Sequence, residues 1–238
     1  MAISPFAPWR VEHPAMFQRW RRLTFLHWRY AAEAIRPLIP RGLELDTFDG
    51  AAWVALTPFL VTGLRPPGAP ALPWISQFPE TNVRTYVRGP DGEGGVWFFT
   101  LEADRLASVA GARLLYRLPY RWADMRVLRK GRIVEYESAR KWPFGEGGTS
   151  IAIHAGEPIT ANEFENFLTA RFRLYTMWGE RVAFAQIEHA PWPLHTARIL
   201  RLRQNLIERS GVPAATGAPI VHYSPDLQVR IGRIQPCG

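Results

Sequence analysis

Short apolar runs alternate with turn-forming clusters along the chain, and few runs hold one period for long. Leu23, Phe25 and His27 alternate with Thr24, Leu26 and Trp28 in an aromatic-rich stretch, the two-residue period of a strand. Residues 17–22 before it read as a short helical turn. Residues 31–38 after it read as a helix that stops near Pro40 and Gly42. Residues 53–61 predict a buried strand, broken or bent at Pro58. Pro66, Pro67, Pro70 and Pro73 make residues 63–73 a surface loop, a kind of segment that often lines sites.

Residues 82–88 and 96–103 predict a hairpin that turns through Gly89, Asp91-Gly92 and Gly94-Gly95. A second hairpin joins 125–129 to 133–140 at Lys130-Gly131, and residues 105–116 between the two have helical character. Residues 151–154 predict a short strand. The strongest helix opens after Thr160 or Asn162, either of which can cap it, with Glu163 and Glu165 near its positive end. Phe164, Phe167, Leu168, Tyr175 and Trp178 then recur as an apolar stripe suited to core packing. A last helix covers 195–209, ended by Gly211 and Pro213, and residues 221–231 finish as a strand. Hairpins dominate and no βαβ alternation appears. The expected class is α+β, a mostly antiparallel β-barrel-like sheet with flanking helices, in a single domain over residues 1–238.

Composition narrows the function classes. With 238 residues, 47% of them hydrophobic, the chain can bury a sizeable core without staples. The net charge of +8 raises the question of nucleic acid. However, only Lys130 and Lys141 of the 29 basic residues are lysines, and the 27 arginines are scattered rather than gathered in a tract. No nucleic-acid partner is expected. Arg198, Arg201 and Arg203 fall on the solvated face of the last predicted helix. The single Cys237, the lack of a basic-then-apolar leader and the lack of a ~20-residue apolar run lead to the expectation of a cytoplasmic protein with no membrane partner.

Phosphate-loop, dinucleotide and nucleophile-elbow signatures are all missing, and no cofactor is expected. His189 and His195 are the nearest metal-ligand pair, but Pro191 and Pro193 between them forbid a fixed helical spacing. No metal is expected. The segment 78–87 is more informative. Strand alternation places Glu80, Asn82, Arg84 and Tyr86 on one face and Val83, Thr85 and Val87 on the other. Alternation alone favours the valines in the core and the polar set in water. The other arrangement places the polar set inside a barrel, where a carboxylate and a guanidinium could hold a ligand.

Several motifs carry a resemblance. His27-Trp28, Leu38-Ile39-Pro40 through Gly42-Leu43-Glu44-Leu45-Asp46, Asn82-Val83-Arg84-Thr85-Tyr86-Val87, Leu118-Pro119-Tyr120 and His189-Ala190-Pro191-Trp192-Pro193-Leu194 resemble the YqjF-like family of the acetoacetate decarboxylase-like superfamily. The resemblance implies an antiparallel barrel with a ligand cavity. In the decarboxylase a Gly-Arg pair precedes Pro-Lys-Lys, and the first lysine forms a Schiff base with the substrate ketone. Here Ala112-Arg113 precedes Pro119-Tyr120-Arg121, and neither a phenol nor a guanidinium can form an imine.

The resemblance also implies a site. Glu80 matches the decarboxylase glutamate, although Pro79 replaces a threonine. Arg21, or its neighbours Arg19 or Arg22, matches an active-site arginine. The candidate catalytic residues are thus Glu80, Tyr120 and Arg121, and the candidate ligand-binding residues are Arg21, His27, Trp28, Asn82 and Arg84. In this scheme Arg121 lowers the Tyr120 pKa, Glu80 is the second proton-transfer group, and Arg21 or Arg84 holds an anion. Uncompensated guanidinium in a barrel needs a counter-ion, either a bound anion or an acid such as Asp124 or Glu102 turned inward. Otherwise the arginines point outward and Trp28, Trp53 and Phe99 line an aromatic cavity. Two functions stay open: an enzyme acting on a small carboxylate or keto acid without imine chemistry, and a non-catalytic ligand-binding or protein-interaction module. A homo-oligomer also stays open.

Overall fold

A computed structural model describes residues 3–106, 113–143 and 145–237. Its strands are β1 (Met16–Ala31), β2 (Glu44–Leu45), β3 (Ala51–Arg65), β4 (Phe78–Arg88), β5 (Gly94–Ala103), β6 (Tyr120–Lys130), β7 (Ile133–Trp142), β8 (Gly148–Pro158), β9 (Arg173–Trp178), β10 (Arg181–His189), β11 (His195–Gln204), β12 (Ile220–Ile231) and β13 (Gln235–Pro236). The short helices α1 (Ala32–Ile35), α2 (Glu163–Thr169) and α3 (Leu206–Arg209) connect them. The strands lie in one sheet, ordered β13-β10-β9-β5-β6-β7-β8-β11-β12-β1-β3-β4-β2. Because β4 also pairs with β5 and β10 with β12, hydrogen bonding runs around a ring of β12, β1, β3, β4, β5, β9 and β10. Pairing is antiparallel except for β5–β6 and β5–β9. The class is therefore α+β with a mostly antiparallel, barrel-like sheet.

β1 explains one local mismatch with the sequence pattern. The expected helical turn at 17–22 is the first part of this 16-residue strand. Arg22 sits at φ 51°, and the β1–β3 register shifts between Arg21 and Leu26. Across that irregularity the inward face changes from Gln18 and Trp20 to Leu23, Phe25 and His27. The break in alternation hides a strand that continues through it. Pro58 lies opposite the same interruption, where a missing N–H is tolerated, so β3 passes through it paired to Thr81.

The remaining differences lie near the C-terminus. α2 has the expected cap: Asn162 Oδ1 accepts from the Phe164 and Glu165 amides, and Glu165 accepts from the Asn162 amide. It ends at Thr169, however, and Tyr175 and Trp178 belong to β9. The expected helix at 195–209 is β11 followed by the one-turn α3. Leucine and arginine favour helix there by propensity, but Thr196, Arg198 and Leu200 point outward in strand alternation and β8 supplies the ladder. Of the predicted helix at 105–116, residues 107–112 lie outside the described residues, Ala112 among them, and 113–116 are helical.

β4 is buried on both faces. Val83 packs with Leu26, Val54, Val134, Tyr136 and Ile151 in a core between β1, β3 and β4 and the β7–β8 hairpin. Glu80, Asn82 and Arg84 are also buried, on the side enclosed by the ring. Neither face of β4 is in water, which corrects the expectation from alternation alone. A strand shared by two cores has no solvated face for its polar residues to occupy.

Candidate functional site

The ring encloses a cavity of about 290 Å³. β4 supplies Phe78, Glu80, Asn82 and Arg84 to it, spaced two residues apart, and the neighbouring strands place partners at each level. Glu80 lies across from Phe59 of β3 and Ala103 of β5, Asn82 across from Thr57 and Leu101, and Arg84 across from Ala55 and Phe98. Ile75 and Leu115, both exposed, line the cavity at its mouth. One level beyond Arg84, Tyr86 is fully buried: its hydroxyl donates to the Leu168 carbonyl (2.6 Å) and contacts His27 Nε2 (2.7 Å).

Two of the catalytic candidates meet. β6 starts beside Leu101 of β5, and this turns Tyr120 inward so that its hydroxyl donates to Glu80 Oε2 at 2.8 Å. Burial raises the Glu80 pKa to about 7, against the opposing hydrogen bonds from Tyr120 and Asn82. Burial and the adjacent Glu80 charge push the Tyr120 pKa well above 10. The expectation of a Tyr120 pKa lowered by Arg121 is therefore wrong. Arg121 is one residue on and points to the other face of the strand, against Glu102, Arg140 and Arg113, where burial and its two arginine neighbours lower its pKa. It does not line the cavity.

The ligand-binding candidates divide. Asn82 and Arg84 line the cavity, and Arg84 is 7% exposed. The Arg84 Nε and Nη2, the Asn82 Oδ1 and the Thr57 Oγ1 are buried without a hydrogen-bond partner among the described residues. The Arg84 guanidinium lies 5.4 Å from the Phe25 ring, and no carboxylate pairs with it. Arg21 is exposed on the outer face of β1, and Arg19 is ion-paired to Asp226. His27 is fully buried and does not line the cavity, and burial holds its pKa well below 6.5. Trp28 packs in the other core and donates to the Gly217 carbonyl. Neither acid proposed as an inward counter-ion serves as one. Glu102 is fully buried on the opposite face of β5 and paired with Arg140, and Asp124 is exposed and paired with Lys141. Trp28, Trp53 and Phe99 do not line the cavity; Trp20, Phe59, Phe98 and Trp192 do.

Two further residues line the cavity: Arg171, which no sequence signal marks, and His189, which opens the 189–194 motif of the resemblance. Arg171 is buried and paired with Asp46 at 2.6 Å, leaving its Nη2 without a partner. His189 Nδ1 donates to the Ala190 carbonyl (2.7 Å), and burial lowers its pKa to about 4, so the ring is neutral with Nε2 unprotonated. His195 instead contacts the Gly156 carbonyl through Nδ1. The described residues hold no group of three or more His, Cys, Asp or Glu side chains placed to share a metal ion. Both lysines are exposed: Lys141 pairs with Asp124 at 3.2 Å, and neither lines the cavity.

The ring of strands around an enclosed cavity is the acetoacetate decarboxylase-like fold. The enduracididine biosynthesis enzyme MppR in complex with pyruvate matches at TM-score 0.69, with 12% identity over 94% of this chain and 90% of that one. An acetoacetate decarboxylase from Legionella pneumophila matches at 0.62, with 14% identity over 98% and 92%. These likenesses concern the fold. In sequence, the chain belongs to DUF2071, a family of uncharacterized conserved proteins whose model matches residues 17–228. The uncharacterized protein YqjF of Bacillus subtilis (strain 168) is 36% identical over 221 residues, covering 90% of this chain and 89% of its own. No helix among the described residues is long and apolar enough to cross a membrane.

Proposed function

We propose that the cavity binds a small carboxylate or keto acid, with Arg84 holding the carboxylate and the Glu80–Tyr120 pair transferring a proton without imine formation. The observation that carries this reading is Arg84 itself, a buried guanidinium with two unpartnered nitrogens, no acid beside it and a place on the same wall as the pair. Burying such a group without a counter-ion is costly, and a carboxylate ligand offsets that cost through charge-assisted hydrogen bonds.

The chemistry follows from the protonation states. With a pKa of about 7, Glu80 is present both as acid and as base at neutral pH. As carboxylate it can take a proton from the carbon next to a ketone. Tyr120, neutral at any such pH, then turns its hydroxyl to the developing enolate oxygen. Return of the proton from Glu80 to the same carbon balances the step. The exposed positions of Lys130 and Lys141 support a site that works without an amine. Pyruvate, the ligand held by MppR, is a keto acid of this kind.

Thermal shifts against carboxylates, keto acids and their primary amides would identify binders. The protein incubated with each keto-acid hit in D2O would then be followed by NMR. The reading expects deuterium to enter the carbon beside the ketone faster than in buffer, and Glu80→Gln to abolish the acceleration. Tight binding with exchange no faster than in buffer would contradict the catalytic role and leave a ligand-binding module.

A further inference from the structure

The cavity combines one unpaired guanidinium with a largely apolar wall that continues to its mouth. We infer that its ligand is an amphiphilic monocarboxylate, with its charged end at Arg84 and a long apolar portion running past Glu80 and Tyr120 to a mouth rimmed by Ile75 and Leu115. This rests on the anion reading above and extends it to the rest of the molecule bound.

Three observations carry it. First, the anchor is deep and the mouth distant. Arg84 is 7% exposed and lies next to the fully buried Tyr86 level, while Phe78 lies six residues back on the same strand, three residues past the exposed Ile75. At about 3.3 Å per residue that backbone run is roughly 20 Å, and a three-carbon acid spans only a fraction of it. Secondly, around the polar set Thr57, Glu80, Asn82 and Tyr120 the space between is walled by the apolar Trp20, Phe59, Phe98, Leu101, Leu118 and Trp192. A cavity of about 290 Å³ has room for on the order of 10 waters at their liquid volume, and walls of this kind favour hydrocarbon over water. Thirdly, the apolar surface does not stop at the opening. Ile75 is 45% and Leu115 62% exposed, and each has an exposed apolar chain neighbour, Trp74 and Leu114. An apolar tail emerging from the cavity would cover side chains that now face water.

The charges fix a single head group. Asp46 already neutralises Arg171, so Arg84 is the one uncompensated cation among the described wall residues, and a second carboxylate on the ligand would lie against the apolar wall or Glu80. A monoanion satisfies the site and a dianion does not.

Calorimetric titration of the purified protein with straight-chain saturated carboxylates from propanoate to decanoate, and with the matching primary amides, tests the inference. Each added methylene should tighten binding about three- to fourfold until the mouth is reached, and each carboxylate should bind more tightly than its amide. Ile75→Asp and Leu115→Asp, substitutions at exposed positions, should weaken decanoate by about tenfold or more and leave propanoate unchanged. Affinity that is flat or falls with chain length, while carboxylates still exceed amides, would overturn the tail and leave the anion reading intact. Affinity that rises with length equally for amides and carboxylates would overturn the anion reading and leave the tail. Decanoate bound equally well by the two mouth variants would contradict the route through Ile75 and Leu115.

Discussion

The hydroxyl of Tyr120 donates to the Glu80 carboxylate at 2.8 Å across 40 residues of sequence, and that bond organises the candidate site. It depends on the parallel pairing of β6 with β5, which sets Tyr120 beside Leu101, while β4 pairs with the other edge of β5 and places Glu80 across from Ala103. A buried acid close to its titration midpoint is thus held by a phenol that stays neutral.

Glu80 should make stability depend on pH. Its folded pKa, about 7, lies above the ordinary value of 4.5, so the folded state binds the proton more tightly. This contribution is complete below pH ~4.5, is lost as pH rises through 7, and is flat above, with a total on the order of 3 kcal/mol. Glu80→Gln should remove that decline and be more stable than the parent at pH 8 by about 1–3 kcal/mol. Urea midpoints at pH 5 and pH 8 would check it; a parent protein equally stable at both would refute the raised pKa.

Removing the phenol should act in the opposite direction. Tyr120→Phe leaves an ionised Glu80 without its donor, which costs about 1.5–3 kcal/mol, the usual range for a hydrogen bond to a charged group. At pH 5 Glu80 is protonated and the cost should fall to about 1 kcal/mol. The variant's Glu80 pKa, followed by NMR of the side-chain carboxyl carbon, should move above 7. A downward movement would show that the phenol does not stabilise the carboxylate.

Imine chemistry should be absent. Borohydride added to the protein with pyruvate should leave the intact mass unchanged, because Lys130 and Lys141 are exposed away from the cavity. A trapped adduct on either lysine would place the reactive site elsewhere.

Much of the fold is legible in the sequence because hairpins announce themselves. Asp91-Gly92 and Lys130-Gly131 punctuate alternating runs, and β4, β5, β6 and β7 lie where those signals put them. The N-terminal strand is obscured by the irregularity at Arg22, and β11 by helix-favouring residues whose strand partner is distant in sequence. Within the site, Glu80 and Tyr120 emerge as candidates from a family resemblance, and their side chains are hydrogen-bonded. Arg121 and Arg21 do not join them: sequence distance fixes neither which face of β6 a residue takes nor where β1 changes its inward face. That Arg84 lacks an acid partner is a property of packing, since a strand buried on both sides gives no local sign of it.

Those two misassigned arginines supply a control. Arg121→Gln and Arg21→Gln remove charges that are outside the cavity, one beside Glu102 and one in solvent. Screening should hold their effect on ligand affinity to about twofold. A larger loss in calorimetric titration with phenylpyruvate would return either residue to the site.

Arg84 is the residue on which the account depends. Calorimetric titration of pyruvate and phenylpyruvate into the parent protein and into Arg84→Gln at pH 7 tests it most directly. The parent should bind at least one of the two, and Arg84→Gln should bind it on the order of 30-fold more weakly or worse, as expected when one side of a buried charge pair is removed. Without ligand the variant should be as stable as the parent or more so, because an unpaired buried charge has gone. Equal affinity in parent and variant, or no binding of either acid by the parent, would contradict the account.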